Sequence, residues 1–214
     1  MSLERGGISM GEAMKIKNGG KFAALAFFCL CIFIGRMPRA FADDREGWIA
    51  RAESVQGIVE ARLQGASAWK EVKRGDLFCD DDVIRVSENG RAALFLRNES
   101  TIRLDRNTTV TLRDKKPEPL LLRIFKGAVH FLTNQPKSLE VSTPFVNGIV
   151  EGTEFYVRIE ESRSVFSVFS GRVRFFNEAG ELNLSSGQTA TSALWRAPAP
   201  IAVDSPRDAV RWTL

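Results

Sequence analysis

Residues 101–112 read TIRLDRNTTVTL and contain two short stretches in which polar and apolar residues alternate. Every second residue of 101–104 and of 109–112 is apolar, which is the period of a β-strand with one buried side and one solvent-facing side. Between them lie Asp, Arg, Asn and Thr, and the Asp and Asn favour turns. The stretch therefore predicts two strands packed on a core from one side.

The same signal recurs over most of the chain. Short runs rich in β-branched and aromatic residues are bounded by Gly, Asn, Asp or Pro, and such runs predict strands. They lie at 56–63, 92–96, 101–104, 108–112, 120–125, 128–132, 154–159, 165–169 and 173–176. This spacing predicts an all-β fold, an antiparallel sandwich or roll of many short strands.

Turns are predicted where residues tolerate positive φ. Asn89-Gly90, Asn147-Gly148 and Ala179-Gly180 are expected to form hairpin turns between neighbouring strands. The stretch 142–158, STPFVNGIVEGTEFYVR, contains the second of these pairs. It lacks the glycines and the following Lys-Ser/Thr of a phosphate-binding loop. We therefore interpret it as strand, turn and strand.

The first 42 residues have the three parts of a secretory signal. A basic stretch at 15–21 precedes an apolar run at 22–34, and Ala40-Phe41-Ala42 forms a small-residue cleavage site. The apolar run is shorter than the ~20 residues that a membrane helix needs. We expect cleavage after Ala42, a periplasmic or secreted protein, and no integral membrane span afterwards; an uncleaved anchor is the alternative.

Charge and cysteine content follow from that leader. The chain has 30 Lys and Arg against 26 Asp and Glu, and residues 1–42 hold six and two of these, which leaves 24 of each. A balanced domain without a basic cluster predicts no nucleic-acid partner. Of the three cysteines only Cys79 lies beyond the leader. It cannot form an intramolecular disulfide there and is expected to be buried as a small apolar residue.

Domain organisation can be drawn from these patterns. A short lead-in at 43–54 is followed by a β-domain at 55–192 and a Pro-rich linker at 193–206, which contains Pro198, Pro200 and Pro206. Residues 207–214 are typical of the start of a helical segment that ends too early to bury an apolar face. We interpret it as the beginning of a truncated or missing C-terminal segment.

Several ordered motifs between residues 55 and 190 resemble the FecR domain family. They include Gly57-Ile58-Val59, Gly75-Asp76-Leu77, Ser142-Thr143-Pro144-Phe145, Glu151-Gly152-Thr153-Glu154-Phe155 and Ser170-Gly171. The resemblance implies an exported β-domain that recognises a partner. It marks as structural or interaction residues Gly75, Asp76, Thr143, Pro144, Glu151, Gly152, Thr153, Glu154, Phe155 and Gly171.

This chain departs from the family pattern at two points. Glu151 stands where the family usually has Arg, so a contact made by that Arg is not carried over. The resemblance implies that, in the founding regulator, a cytoplasmic anti-sigma segment is joined through one membrane helix to the periplasmic domain. In this chain, a leader and about ten residues precede the domain. Direct control of a sigma factor is therefore not expected.

Candidate chemical sites are few. His130 is the only histidine, and a surface or half-buried structural role is expected for it rather than a metal or triad role. The cluster Asp76, Asp80, Asp81 and Asp82 lacks calcium-loop spacing and is expected to cap turns. Nothing marks a catalytic residue, a metal ligand or a cofactor site. Trp69 and Tyr156 are the aromatic residues expected to be exposed.

Two functions remain open at this point. The first is a non-enzymatic, exported signalling or scaffolding module that binds an envelope protein through a sheet edge or a polar sheet face. The alternative is a carbohydrate-binding or peptidoglycan-binding module, because an exposed aromatic side chain on a polar sheet face suits a sugar.

Overall fold

A computed structural model describes residues 47–115, 117, 119–133 and 136–213, without the side chains of residues 136–138 and 152–153. The described residues belong to one compact unit, Asp43–Leu214, and more than half of them are in strands. The strands are β1 Ala50–Gln56, β2 Val59–Arg62, β3 Lys70–Glu71, β4 Leu77–Phe78, β5 Val83–Val86, β6 Arg91–Leu96, β7 Thr101–Leu104, β8 Thr109–Arg113, β9 Leu120–Leu132, β10 Pro136–Ser142, β11 Asn147–Ile159, β12 Arg163–Asn177, β13 Gly180–Ser185, β14 Thr189–Ala193 and β15 Ala199–Ile201. The predicted all-β fold of many short strands is confirmed.

Strand pairing follows two connected runs. One run has the order β3, β2, β5, β8, β9, β10, β11, β12 and β13, and the other has the order β4, β1, β6, β7, β9, β11, β12, β14 and β15. The long strands β9, β11 and β12 take part in both runs. All pairs are antiparallel except β9 with β10, which is parallel.

Glycine bends two of these long strands. Gly127 (φ +89°) and Gly171 (φ +76°) lie inside β9 and β12 at the change from one run to the other. A Cβ at Gly127 would overlap the backbone of Thr108. Sequence analysis placed strand breaks here, but a residue with positive φ kinks a strand without ending it. The separate strands predicted on either side of each glycine are therefore single strands.

The core lies between the inner faces of the two runs. One contiguous cluster of buried residues includes Val59, Ile84 and Leu122 of the first run and Leu94 and Val129 of the second. At its centre Phe131 and Phe155 stack with ring centroids 4.2 Å apart. Truncation of such a buried aromatic side chain to alanine destabilises a domain by about 3–5 kcal/mol.

Two local predictions were wrong. Asn147-Gly148 does not turn the chain, because Asn147 and Gly148 already pair with Ser142 and Val141 as the first residues of β11; the turn is 143–146. The strand Ala50–Gln56 lies mostly in the region assigned to a lead-in, and it pairs with β6. The hairpin at Ala179-Gly180 is confirmed, since Asn177 pairs with Gly180 across the tight turn.

The C-terminal region also differs from the prediction. Residues 193–206 are not an extended linker, because Ala199–Ile201 pairs antiparallel with β14. A 3₁₀ helix follows at Pro206–Thr213, and Val210 is buried against the strands, so the segment does bury an apolar face. The predicted leader lies outside the described residues. Within the described part of the chain, no helix has the length and apolar character to cross a bilayer.

Candidate binding groove

The turn between β10 and β11 is built on Thr143. Its backbone N–H donates to Val146 O (3.0 Å), and its Oγ1 accepts from the backbone N–H groups of Phe145 and Val146 at 3.3 and 3.1 Å. Pro144 sets φ at the second turn position, and the proline ring is exposed. The Thr143-Pro144 motif therefore fixes the turn and presents an apolar ring at its tip.

Asn177, at the end of β12, ties this turn to two others. Its Nδ2 lies within hydrogen-bond distance of Phe145 O (3.1 Å), Arg196 O (2.7 Å) and Ser192 Oγ (3.2 Å). Its Oδ1 accepts from the N–H of Ala179 at 3.0 Å. One amide side chain therefore holds together the 143–146 turn, the turn after β14 and the β12–β13 hairpin.

The turn after β14 exposes two large apolar side chains. Leu194 is 58% exposed and Trp195 is 77% exposed. Trp195 has φ +60°, a left-handed conformation that is unusual for a bulky residue and unfavourable by about 1–2 kcal/mol. The strain and the exposure together oppose stability, and such features cluster at functional sites.

These three turns enclose an open groove of about 260 Å³. Its apolar lining comes from Pro144, Phe145, Val146, Leu194 and Trp195, and its polar lining includes Asn147, Asn177 and Glu178. An apolar floor with a few fixed polar groups can bind a side chain or a sugar ring and orient it by hydrogen bonds. The groove has the composition of a recognition site.

The Gly75-Asp76 motif lies in a different turn and is structural. Asp76 Oδ2 accepts from the N–H of Lys73 at 2.7 Å, and Gly75 has φ +94°. The other aspartates of the cluster act in similar ways. Asp82 accepts from the N–H groups of Gln64 and Cys79, Asp80 accepts from the N–H of Asp114, and Asp81 pairs with Arg113. Asp76 and Asp82 thus cap local turns as predicted, whereas Asp80 and Asp81 contact residues 113–114, and Cys79 is partly rather than fully buried.

Trp69 was predicted to be exposed and is half-buried. Two guanidinium groups lie near the centre of its ring, that of Arg62 at 5.3 Å and that of Arg85 at 3.9 Å. Arg85 also donates to Glu60 at 2.7 Å, and this hydrogen bond lowers the pKa of Glu60. The indole ring is thus engaged by two cations of its own chain and is half-buried, so Trp69 is a weaker ligand candidate than Trp195.

The family-motif residues of β11 are divided between the core and the surface. Glu151 is exposed and lies opposite Arg172 in the register. Phe155 is fully buried, and Glu154 is half-buried beside His130. The backbones of Gly152 and Thr153 lie in the strand, and the Thr153 side chain is outside the described part. β11 does not bring these residues to the groove.

The predictions for Tyr156 and His130 were wrong. Each is only 2% exposed. Both are on the outer face of the second run, and the C-terminal 3₁₀ helix packs against Tyr156 there. Burial raises the pKa of the Tyr156 hydroxyl, which accepts from Arg158 Nε at 3.0 Å. The sequence did not show that the C-terminal segment would fold back over this face.

No group of three or more His, Cys, Asp or Glu residues within the described ranges is arranged to hold a metal ion. The groove itself contains one carboxylate, Glu178, among its lining residues. Its chemistry is therefore apolar contact, hydrogen bonding by the amides and one negative charge.

Sequence analysis missed Asn177, Leu194 and Trp195. The available signal was the pair Leu194-Trp195 between polar or small residues at a strand end, where two consecutive large apolar residues are not explained by alternation. Asn177 gave no signal of its own, because the three partners of its Nδ2 are distant in sequence.

Comparison with known proteins agrees with this architecture. Residues 82–174 match the family described as FecR protein. No curated protein matches the chain.

Two crystal structures of a candidate anti-sigma factor from Parabacteroides distasonis ATCC 8503 have the same fold. Each has a TM-score of 0.54 and 16% sequence identity, and each match covers 61% of this chain. The matched part spans 64% and 63% of those chains, which is less than two thirds of their length. The chain thus matches the FecR family over residues 82–174 and has the fold of these two structures.

Proposed function

We propose that this chain is an exported, non-enzymatic signalling or scaffolding module that binds an envelope protein through the groove at Pro144, Leu194 and Trp195. The FecR match and the fold shared with a candidate anti-sigma factor support a signalling or regulatory role. The secretory pattern of residues 1–42 supports export to the periplasm or beyond.

The observation that carries this proposal is the conformation of Trp195. A bulky side chain is held in a strained backbone conformation and is 77% exposed, beside an exposed leucine. Tryptophan is enriched among the residues that dominate binding energy at protein interfaces. Covering Trp195 and Leu194 by a partner would remove the unfavourable exposure.

A glycan is the second candidate ligand, because the groove pairs an exposed indole with the amides Asn147 and Asn177. Aromatic rings pack on the apolar faces of sugars, and amides bind their hydroxyl groups. A protein and a glycan would both bind in the same groove. The same variants therefore test both ligands, and the partner that is recovered distinguishes them.

The test uses the wild-type chain and two variants in a cross-linked pull-down from envelope extract, with sedimentation of purified peptidoglycan in the same buffer. Trp195→Asn removes the ring and retains a residue that tolerates positive φ. Phe125→Ser removes a side chain that is 46% exposed elsewhere on the sheet and serves as the matched control. We expect one protein to be recovered by wild type and by Phe125→Ser but not by Trp195→Asn.

If the chain sediments with peptidoglycan, if Trp195→Asn abolishes this, and if no protein partner is recovered, the ligand of the groove is the glycan and not a protein. Equal recovery by all three chains would contradict the role of the groove. Export is tested separately by sequencing the N-terminus of the protein recovered from cells. We expect Asp43 as the first residue, and an intact leader would contradict cleavage.

A further inference from the structure

The C-terminal 3₁₀ helix, Pro206–Thr213, is bound to the outer face of the second strand run. Val210 is buried in a small apolar cluster with Ala128, Tyr156 and Phe169, and Trp212 packs against its border. A 3₁₀ helix of eight residues is longer than the three or four residues usual for this structure, whose hydrogen-bond geometry is poor. The helix therefore depends on these contacts with the sheet.

Charged groups supplement the apolar contacts. Arg207 donates to both carboxylate oxygens of Glu154, at 3.1 and 3.0 Å, and its guanidinium lies 4.8 Å from the ring centre of Phe169. At the other end of the helix, Arg103 Nη1 donates to Thr213 O at 3.0 Å. Arg91 lies over the ring of Trp212 at 5.7 Å.

His130 lies beside this contact with half of its hydrogen-bonding capacity unused. Its Nε2 is 3.0 Å from Glu154 Oε1, the same carboxylate that Arg207 binds. Its Nδ1 is buried and has no hydrogen-bond partner among the described residues. The edge of the Phe169 ring packs against the imidazole at a centroid distance of 5.9 Å.

The surroundings of His130 favour the neutral imidazole. Burial lowers the pKa of His130, and the positive charges of Arg103 on β7 and Arg207 on the helix lower it further. The hydrogen bond and the negative charge of Glu154 on β11 act in the opposite direction without reversing the shift. A proton added at Nδ1 would create a buried N–H without an acceptor and a third cation beside two arginines.

We propose that the C-terminal 3₁₀ helix is a latch that leaves the sheet when His130 takes up a proton from solvent. Release gives water access to the imidazole and separates Arg207 from it. The preceding segment can act as the hinge, because all four residues of 202–205 are exposed. The latch is independent of the groove and adds a response to acid to the function proposed above.

The direction and the pH window follow from proton linkage. Since the latched state has the lower pKa at His130, its stability is complete above the ordinary value of 6.5 and decreases as the pH falls below it, until the latched-state pKa is passed. Burial acts to raise the pKa of Glu154, but hydrogen bonds from Arg207 and His130 outweigh it and hold this pKa below 4.5. Glu154 therefore stays ionised through the window in which His130 titrates.

The experiment is hydrogen exchange of the full chain at pH 7.5 and 5.5, corrected for intrinsic exchange rates and read by mass spectrometry over 206–213. Exchange of the helix should be faster at the lower pH, by up to about tenfold for each unit by which the latched-state pKa lies below that of the released state. His130→Gln, which cannot gain a charge, should abolish the pH response. Glu181→Gln, which alters an exposed pair with Arg174, should leave it unchanged.

A second measurement does not depend on a variant. Because His130 is the only histidine, its Cε1 proton gives one histidine resonance to titrate by NMR. We expect its titration to coincide with the change in exchange over 206–213. Equal protection at both pH values, the same response in His130→Gln, or titration of His130 without any change in the helix would each overturn the latch.

Discussion

The groove and the C-terminal latch are both held against the same strands, but different chemistry holds each. The groove is organised by neutral hydrogen bonds from Asn177 and leaves Trp195 exposed. The latch is organised by the Arg207–Glu154 pair and buries Val210. Since an amide does not titrate and a buried histidine does, acid should act on the latch and leave the groove intact. The same strands can thus carry a groove that does not respond to pH and a helix whose attachment depends on pH.

The largest expected effect comes from disrupting β9, one of the three long strands that take part in both runs. Gly127→Ala places a methyl group against the backbone of Thr108 at a residue with φ +89°. We expect a loss of about 2–4 kcal/mol in the free energy of unfolding, from strain and overpacking. Denaturant unfolding measures it.

Gly187→Ala is the matched control for that variant. Gly187 also has positive φ, +81°, but no atom would lie within 4 Å of an added Cβ. Only the conformational strain remains, so a loss of about 1 kcal/mol is expected. Equal losses at both positions would mean that the strand corner at Gly127 is not tightly packed against Thr108.

Breaking the groove alone is the next largest effect. Asn177→Ala removes the hydrogen bonds to Phe145 O and Arg196 O, and at about 1 kcal/mol for each bond a loss of about 2 kcal/mol is expected. Thermal unfolding at pH 7.5 measures it, with Asn183→Ala on the exposed edge strand β13 as the control. The pH dependence of exchange over 206–213 should be unchanged in Asn177→Ala. A change would show that the two regions are coupled.

Weakening the latch alone has a smaller effect. Arg207→Gln removes an ion pair in which Arg207 is 61% exposed, and pairs of this kind contribute about 0.2–1 kcal/mol. We expect faster exchange over 206–213 at every pH and no change in partner recovery through the groove. Slower exchange would contradict the stabilising role of the pair.

The smallest expected effect on stability is at the residue with the largest expected effect on binding. Trp195→Asn exposes no new core and relieves the strain of a bulky residue at positive φ, so its free energy of unfolding should not fall by more than about 0.5 kcal/mol. Partner recovery should be lost all the same. A loss of stability above that range would indicate that Trp195 packs within the chain rather than serving a ligand.

Local alternation was sufficient to predict the fold class, and for a physical reason. Stretches such as 101–104 have one apolar and one polar face, and this periodicity is independent of distant residues. Gly127 and Gly171 show the limit of that reasoning. Each was interpreted as a strand boundary, whereas each bends a strand that continues, and only pairing with both runs distinguishes the two cases.

The candidate sites depended on distant contacts and were predicted poorly. Thr143 and Pro144 form the turn between β10 and β11, and a turn of this kind is a local structure that a short motif can indicate. Tyr156 was predicted to be exposed, since its position opposite Phe155 defines its face but does not show what covers that face. Val210 lies more than fifty residues away in sequence, and no local pattern connects the two.

The most direct test of the central claim replaces Trp195 by a photo-crosslinking phenylalanine analogue in the full chain and illuminates it in cells. The same analogue at Phe125 is the control for general exposure. We expect a crosslink to one envelope protein from position 195 and none from position 125. No crosslink from position 195, or the same products from both positions, would contradict the groove as the recognition surface.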